Sequence, residues 1–381
     1  MKRRVHSLIA ATLSTALPAW AAPPAIPAQL QDSNGIHLNS WNEADPDGTG
    51  PQAANPRLLD AVVTTAAIFQ NGDHVPITVR ILLPRDYITH PSRRYPVLYL
   101  LHGGSGGFED WSRAAADGGQ VQSIVDNEPN TPFDVIVVMP EGGRSGWYQD
   151  WHGATDGGFS PLWETFHVTQ LVPWIDLNFR TLATRGGRSI AGLSMGGLGA
   201  LKYAGRNPSV FSAVGSFSGA TDLLFETAQD TISNSMWVYG ATVGNTGLAN
   251  PGYRVTFPGN GPEQEETLRM VNLFGTMIDG DWPDSNPMAM VDAYRDNDIK
   301  LGLYAGRKIN GWDIRGEQDI ADTNDAFHSR LNAHAVTHRY CSGYGEHSFD
   351  YWREDLRDFL YYVYDSTPAT CTLNPGWVQK P

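Results

Sequence analysis

Ser194 lies in the pentapeptide Gly192-Leu193-Ser194-Met195-Gly196, between an apolar run that predicts a strand and a segment that predicts a helix. This G-x-S-x-G pattern is typical of a nucleophile elbow. Such a turn strains the serine, so the residues two positions before and after it must be small. It also exposes the hydroxyl at the positive end of a helix. We therefore predict a serine nucleophile, against the alternative of a glycine-rich junction without a catalytic role.

A nucleophilic serine needs a base, and after an elbow of this type the chain order is serine, acid, histidine. His347 lies in SGYGEHSFDYW, a glycine-containing loop between the last predicted strand and the last predicted helix. His328 and His334 fall on a predicted helix, and His338 begins the strand after it. We predict that His347 is the base.

The acid should follow the predicted strand IKLGLYAG. Position alone does not choose among the carboxylates of the next segment, and acidic runs of this kind commonly form a solvated helix start. The candidates are Asp313, Glu317, Asp319, Asp322 and Asp325.

A loop rich in glycine, His102-Gly103-Gly104-Ser105-Gly106-Gly107, follows the predicted strand YPVLYLL. Backbone N–H groups can approach a substrate closely at glycine. We predict that the N–H groups of Gly104 and Met195 form an oxyanion hole, the pair of donors that stabilises a developing negative charge. His102 is interpreted as a residue that shapes this loop.

Several elements must position these residues. Short apolar runs that end in glycine, such as YPVLYLLHGG and FDVIVVMPEGG, are typical of buried parallel strands. They alternate with amphipathic helical patterns, which predicts an α/β fold with a mostly parallel central sheet and helices on both faces. Residues 221–297 interrupt this alternation and predict an inserted cap over the carboxyl edge of the sheet, where ligands bind in such folds.

The start of the chain predicts a secretory signal peptide at residues 1–21, with a basic head, a short apolar middle and the triplet Ala19-Trp20-Ala21. Residues 22–60 are predicted as an extended leader on the surface, and residues 61–381 as the catalytic domain. No later segment approaches transmembrane length. We therefore expect an exported, soluble protein, extracellular or periplasmic.

The formal charge of the whole chain is −14. Removal of the signal peptide takes away three basic residues and no acidic one, which makes it −17. This charge disfavours nucleic acid and anionic membranes as partners. The two cysteines, Cys341 and Cys371, predict one disulfide in an exported protein. No cluster has metal-ligand spacing, so no metal or cofactor is predicted.

Together these motifs resemble the esterase D branch of the α/β-hydrolases, which includes the antigen-85 type mycolyltransferases. The resemblance extends over residues 75–365 and is strongest in GWYQDWHG, WETFHVTQLVPWI, IAGLSMGG and HSFDYW. It implies an α/β-hydrolase fold. The family's catalytic glutamate lies ten residues before a phenylalanine, as Glu317 lies before Phe327, so the resemblance implies Glu317 as the acid. Many plain esterases of the branch use an aspartate soon after the strand, which keeps Asp319 as the alternative.

Departures from the mycolyltransferase pattern bear on the substrate. The family has an aspartate at the position of His102, an arginine near Ser105 and a tryptophan at the position of Phe349. We predict that the substrate is bound by His102, Ser105, Trp111, Trp147 and Phe349. The rim of Ser105, Trp111, Trp147 and Phe349 offers surfaces for a ring but no fixed charges. The sequence therefore favours a serine carboxylic-ester hydrolase without a preference for trehalose. An acyltransferase and a non-catalytic binding protein on the same fold are the alternatives.

Overall fold

The computed structural model describes residues 30–46, 55–70, 73–127, 130–153, 160–226, 228–232, 273–274, 280–308, 316–365, 371 and 373–381. The strands in these residues are β1 (Ile36–Ala44), β2 (Asn55–Thr65), β3 (Phe69–Gln70), β4 (Asp73–His74), β5 (Ile77–Leu82), β6 (Val97–Leu101), β7 (Ile136–Pro140), β8 (Arg188–Leu193), β9 (Ala213–Phe217), β10 (Lys300–Gly306), β11 (His338–Gly343) and β12 (Val378–Gln379).

Ten of these strands form one sheet in the order β1-β2-β5-β7-β6-β8-β9-β10-β11-β12, and β3 pairs with β4 separately. Six adjacent strands are parallel to one another, namely β7, β6, β8, β9, β10 and β11. The antiparallel pairs are β1 with β2, β2 with β5, β5 with β7, and β12 with β11. The expected mostly parallel sheet is confirmed.

The helices are α1 (Val121–Asp126), α2 (Val172–Asn178), α3 (Met195–Arg206), α4 (Trp282–Ser285), α5 (Val291–Asp296), α6 (Glu317–Ala333) and α7 (Phe349–Leu360). A π-helical stretch, Thr165–Leu171, leads into α2, and another, Tyr361–Asp365, follows α7.

Alternate residues of the strands serve two apolar cores. In β6, Val97, Tyr99 and Leu101 belong to the core under α2, α3, α5 and α6. Leu98 and Leu100 belong to the core under α1 and α7. A strand buried on both faces in this way reads as a continuous apolar run, which explains why the sequence predicts it correctly.

The first part of the fold differs from the prediction. The predicted domain boundary at residue 60 falls inside β2, and residues 36–44 form the edge strand β1 rather than part of a separate leader. Most residues of β1 are at least partly exposed, so its sequence lacks the apolar signal of a strand. Residues 1–29, including the predicted signal peptide, lie outside the described residues.

Only the ends of the predicted cap at 221–297 are described, because residues 233–272 lie outside the described part of the chain. Its last portion is not a cap. Helix α5 packs on α3, where the Tyr294 hydroxyl donates to the Leu201 carbonyl oxygen at 3.0 Å. Val291 and Tyr294 are buried in the main core. The polar residues among the apolar ones concealed this packing.

Two further findings concern membrane crossing and the cysteines. Among the described residues, no helix combines the length and the apolar character that crossing a bilayer needs. Cys341 of β11 and Cys371 form the predicted disulfide, with 5.3 Å between their Cα atoms.

Candidate active site

Ser194 lies at the sharp turn between β8 and α3. Its backbone has φ 53° and ψ −119°, a region that residues other than glycine rarely adopt. The Ser194 N–H donates to the Phe217 carbonyl oxygen at 2.8 Å, which ties the turn to the neighbouring strand β9. The turn presents the side chain at the carboxyl edge of the sheet, at the N-terminus of α3.

The flanking glycines are required by close approach. A Cβ on Gly192 would lie 2.4 Å from the Gly196 carbonyl oxygen, and a Cβ on Gly196 would lie 2.5 Å from the His102 carbonyl oxygen. Both contacts are with backbone, which cannot move aside as a flexible side chain can. The spacing of the pentapeptide therefore follows from the geometry of the turn.

His347 and Glu317 are joined by a short hydrogen bond. His347 Nδ1 lies 2.6 Å from Glu317 Oε2. Glu317 is completely buried, whereas about a third of the His347 side chain is exposed. With Nδ1 protonated and donating to the carboxylate, the ring presents Nε2 as an acceptor. His347 and Ser194 line the same cavity, which has a volume of about 370 Å³.

Two more donors hold the other carboxylate oxygen of Glu317. The Gly306 N–H donates to Oε1 at 2.9 Å, and the Ser218 hydroxyl donates to the same oxygen at 2.5 Å. Glu317 is also the first residue of α6, where the helix dipole favours a negative charge. These donors compensate for the burial of the carboxylate.

The other candidate acids lie elsewhere. Asp319 is buried beside a smaller cavity of about 60 Å³ that Ser194 also borders, and no hydrogen bond to His347 is found for it within the described residues. Asp322 accepts from Gln318, and Asp325 bonds to Arg307 and Tyr340. Asp313 lies outside the described residues. Among the described candidates, Glu317 is the carboxylate that contacts the histidine.

The other histidines near the end of the chain have structural partners. His328 Nδ1 lies 2.7 Å from His338 Nε2, and His334 Nδ1 lies 2.9 Å from Asp292 Oδ1. None of the three lines the cavity that contains Ser194.

The predicted oxyanion donors belong to two different elements, a loop and a helix. Gly104, in the loop after β6, lines the larger cavity, and Met195, the first residue of α3, lines the smaller one. Ser194 borders both cavities. In the described part of the chain neither N–H donates to a backbone acceptor. Unpaired N–H groups at a helix N-terminus and in a glycine-rich loop can both bind an anion.

The predicted substrate-binding residues fall into two groups. Ser105 and Phe349 line the larger cavity, and Trp147 lines the smaller one. His102 and Trp111 line neither cavity and are each 1% exposed, so their expected contact with substrate is not found. His102 Nε2 accepts from the Gly142 N–H, and Trp111 Nε1 donates to the Leu101 carbonyl oxygen. Both residues therefore stabilise the backbone next to the site and do not line it.

The larger cavity also contains charges that the sequence analysis missed. Glu109, Asp110, Arg113 and Arg144 line it, and Arg113 Nη2 lies 2.8 Å from Asp110 Oδ1. The expectation of a rim without fixed charges is therefore wrong. Three of these residues follow the glycine-rich loop, where charges commonly face solvent, so their types alone gave no signal of a binding surface.

No group of three or more potential metal ligands is found in the described residues. A buried carboxyl group lies close to the pair formed by Glu317 and His347. Burial raises the pKa of Asp355 well above its usual range, and the negative charge of Glu317 adds to this effect. This shift favours the protonated, neutral form of Asp355.

The mostly parallel sheet, the elbow serine and the Glu–His pair after later strands together define an α/β-hydrolase. Residues 74–362 match the model of the Esterase family, described as "Putative esterase". The chain belongs to this family.

Two relatives and one solved structure extend the comparison. Esterase Rv1288 of Mycobacterium tuberculosis (strain ATCC 25618 / H37Rv) is 32% identical over 335 residues, which cover 85% of this chain and 61% of that protein. Diacylglycerol acyltransferase/mycolyltransferase Ag85A of Mycobacterium leprae (strain TN) is 28% identical over 239 residues, covering 59% of this chain and 63% of that protein. The chain thus spans less than two thirds of the length of either relative.

The crystal structure of Mycobacterium tuberculosis MPT51 (FbpC1) matches with a TM-score of 0.55 at 18% identity, covering 76% of this chain and 92% of that chain. This likeness shows a shared fold. The resemblance to the esterase D and antigen-85 branch, noted from the sequence, is confirmed.

Proposed function

We propose that this protein is a serine carboxylic-ester hydrolase that works through an acyl-enzyme intermediate. The observation that supports it best is the 2.6 Å hydrogen bond between His347 and buried Glu317, beside the cavity that Ser194 lines. Serine, histidine and a carboxylate in these relationships form the arrangement used for acyl transfer on several unrelated folds.

In the first half of the reaction, Ser194 Oγ attacks the carbonyl carbon of the ester. His347 Nε2 takes the proton from Oγ, and Glu317 stabilises the imidazolium that forms. The oxyanion accepts hydrogen bonds from the N–H groups of Gly104 and Met195. Collapse of this tetrahedral intermediate breaks the bond to the alcohol oxygen, to which His347 returns the proton.

In the second half, water takes the place of the alcohol. His347 removes a proton from the water, whose oxygen attacks the acyl carbon, and the same two N–H groups stabilise the second oxyanion. Collapse breaks the bond between the acyl carbon and Ser194 Oγ, to which His347 gives the proton, and releases the carboxylic acid. No cofactor takes part in this scheme.

The first test is Ser194→Ala. We expect kcat/KM for a short nitrophenyl ester to fall about 10⁴-fold or more, because no other hydroxyl in the scheme can form the acyl-enzyme. Ser216→Ala is a matched control, since Ser216 is buried on the adjacent strand β9 and its Oγ has no hydrogen-bond partner among the described residues. Full activity in Ser194→Ala would contradict the proposal.

A fluorophosphonate probe separates the enzyme from a non-catalytic binding protein. We expect covalent labelling of the Ser194 peptide in the wild-type protein, and none in Ser194→Ala. A folded wild-type protein that is not labelled would favour the binding protein.

Transfer of the acyl group to an alcohol is a second candidate, and the charged lining of the larger cavity favours keeping it. The guanidinium of Arg113 and the carboxylates of Glu109 and Asp110 can bond to the hydroxyls of a polar acceptor. The deciding measurement is product partitioning from one acyl donor with equal concentrations of trehalose and glycerol. We expect free acid to dominate, with no preference for trehalose; a preferred trehalose ester would support the transferase.

Export after cleavage of residues 1–21 is part of this proposal. The basic head, the apolar middle and the small-residue triplet support it, as does the disulfide between Cys341 and Cys371. N-terminal sequencing of the mature protein is expected to begin at Ala22. Retention of the first 21 residues in an exported sample would contradict the cleavage.

A further inference from the structure

The loop that carries His347 has few bonds of its own. It covers residues 344–348, between β11 and α7. Besides the hydrogen bond to Glu317, the partly exposed His347 is positioned by the elements packed against this loop. On one side, the Lys308 N–H donates to the Gly345 carbonyl oxygen at 2.9 Å. On another side lies the indole of Trp377.

Trp377 contacts the loop in two ways. Its Nε1–H donates to the Tyr344 carbonyl oxygen at 3.0 Å, three residues before His347. Its ring lies against Gly345, where an added Cβ would come within 2.8 Å of Trp377 Cζ2. The indole also stacks on Tyr351 of α7, with 6.0 Å between ring centroids and 17° between the planes. One buried side chain thus contacts the residues on both sides of His347.

The segment that carries Trp377, here called the β12 segment (residues 371 and 373–381), is itself fastened to β11. Val378 and Gln379 pair with Ser342 and Cys341. The disulfide between Cys341 and Cys371 ties the start of the segment to the same strand. These attachments fix the position of the Trp377 indole relative to the end of β11, where the His347 loop begins.

A second anchor lies on α7. Asn374 Nδ2 donates to Asp355 Oδ1 at 2.6 Å, and the Trp377 N–H donates to the Asn374 carbonyl oxygen at 3.1 Å. The β12 segment therefore bridges the strand and the helix that flank the His347 loop.

We propose that Trp377 is a positioning residue for His347, and that the disulfide holds Trp377 in place. This inference rests on the proposed role of His347 as the base. Since a displacement of about 1 Å at a catalytic group can cost 10²-fold in rate, release of the loop lowers kcat without removing any group that touches the substrate.

The test uses Trp377→Phe in the full chain, which removes the indole N–H and keeps an aromatic ring. We expect kcat for a short nitrophenyl ester to fall at least about tenfold with KM within twofold of the wild type. The far-downfield proton resonance of the His347 Nδ1–H should weaken.

Trp174→Phe is the matched control. Trp174 is fully buried in the other core, on α2, and within the described residues its Nε1 has no hydrogen-bond partner. It is expected to keep the wild-type kcat and the wild-type His347 Nδ1–H resonance even where its melting temperature falls. A wild-type kcat and an unchanged His347 Nδ1–H resonance in folded Trp377→Phe, or an equal loss in the control, would overturn the proposal.

The double variant Cys341→Ala/Cys371→Ala tests the disulfide and decides the question if Trp377→Phe does not fold. We expect the same fall in kcat and the same weakening of the His347 Nδ1–H resonance, and wild-type values would overturn the role of the disulfide. If neither variant folds, reduced wild-type protein is assayed in the same way, since the chain has two cysteines and both are in this bond.

The two proposals fail in different experiments. Activity in Ser194→Ala would overturn the proposed function and with it the base. An inactive Ser194→Ala together with an unaffected, folded Trp377→Phe would overturn the positioning role alone.

Discussion

The Ser218 hydroxyl donates to Glu317 Oε1 at 2.5 Å, the carboxylate oxygen that His347 does not use. Ser218 follows β9 with φ 49°, and its own Oγ accepts from Trp352 Nε1 at 3.0 Å. The Trp352 ring packs edge-on against His347, with 4.8 Å between centroids. A chain of contacts therefore runs from His347 through Glu317 and Ser218 back to the ring beside His347.

Ser218→Ala tests this chain. Loss of a hydrogen bond to a charged group costs about 1.5–3 kcal/mol, so we expect kcat/KM to fall about tenfold to a hundredfold. The measurement is steady-state hydrolysis of a short nitrophenyl ester, with Ser216→Ala as the control on the same strand. A fall of less than twofold in Ser218→Ala would show that the Gly306 N–H alone orients the carboxylate.

Glu317→Gln and Asp319→Asn separate the two candidate acids. Glutamine keeps the shape of the site, but it cannot accept the hydrogen bond from His347 as a charged carboxylate does. Turnover should therefore fall by about 10³–10⁴. Asparagine at residue 319 should cost less than about tenfold, because that side chain borders the smaller cavity and has no bond to His347 in the described residues. The reverse order of kcat values would assign the acid to Asp319.

His167 should make the protein sensitive to acid. Its Nε2–H donates to the Glu141 carbonyl oxygen at 2.8 Å, and its Nδ1 accepts from the Tyr203 hydroxyl at 3.0 Å. Burial lowers the pKa of His167 from 6.5 to about 3. Between these two values the unfolded chain holds a proton that the folded protein does not, so stability falls as the pH falls.

The expected slope from this one group is about 1.4 kcal/mol per pH unit from pH 6.5 down to about 3, in the free energy of unfolding. Denaturant titrations across this range compare the wild type with His167→Gln. The variant is less stable at pH 7, because it loses the fitted ring, but its stability falls less steeply with acid. Parallel curves for the two proteins would mean that His167 is charged in the folded state.

Asp355 predicts the opposite dependence. Because burial raises its pKa, the folded protein keeps a proton that the unfolded chain releases above about pH 4. Its contribution to stability is complete below that pH and is lost as the pH rises. Asp355→Asn mimics the neutral acid, so the variant should gain stability relative to the wild type as the pH rises from 5 to 8. A constant difference over this range would contradict the assignment.

The sequence predicted the centre of the fold better than its edges. Strands such as β6 are buried on both faces, so all of their side chains are apolar. Such a continuous apolar run can be recognised directly in the sequence. Strand β1 is largely exposed and joins the sheet through backbone pairing with β2, which its side chains do not reveal. Helix α5 was assigned to a cap because local composition does not tell which core a helix packs on.

The site shows the same division. Ser194 and His347 could be chosen from local motifs, because the elbow and the loop after the last strand constrain residue type. Glu317 could be chosen only through the family resemblance, since five carboxylates follow β10 and tertiary contacts decide which one reaches the histidine. The direction of Trp111 depends on a bond to Leu101 across the loop, which no local pattern records.

Ser194, Glu317 and His347 come from three separate connections, after β8, β10 and β11. They meet only when those strands have paired in register, with β9 between β8 and β10. The fraction of molecules labelled at Ser194 therefore measures the fraction in which these strands have paired in their native order. Labelling followed during refolding reports when this long-range strand pairing is complete. The signal comes from a single residue and needs no added optical probe.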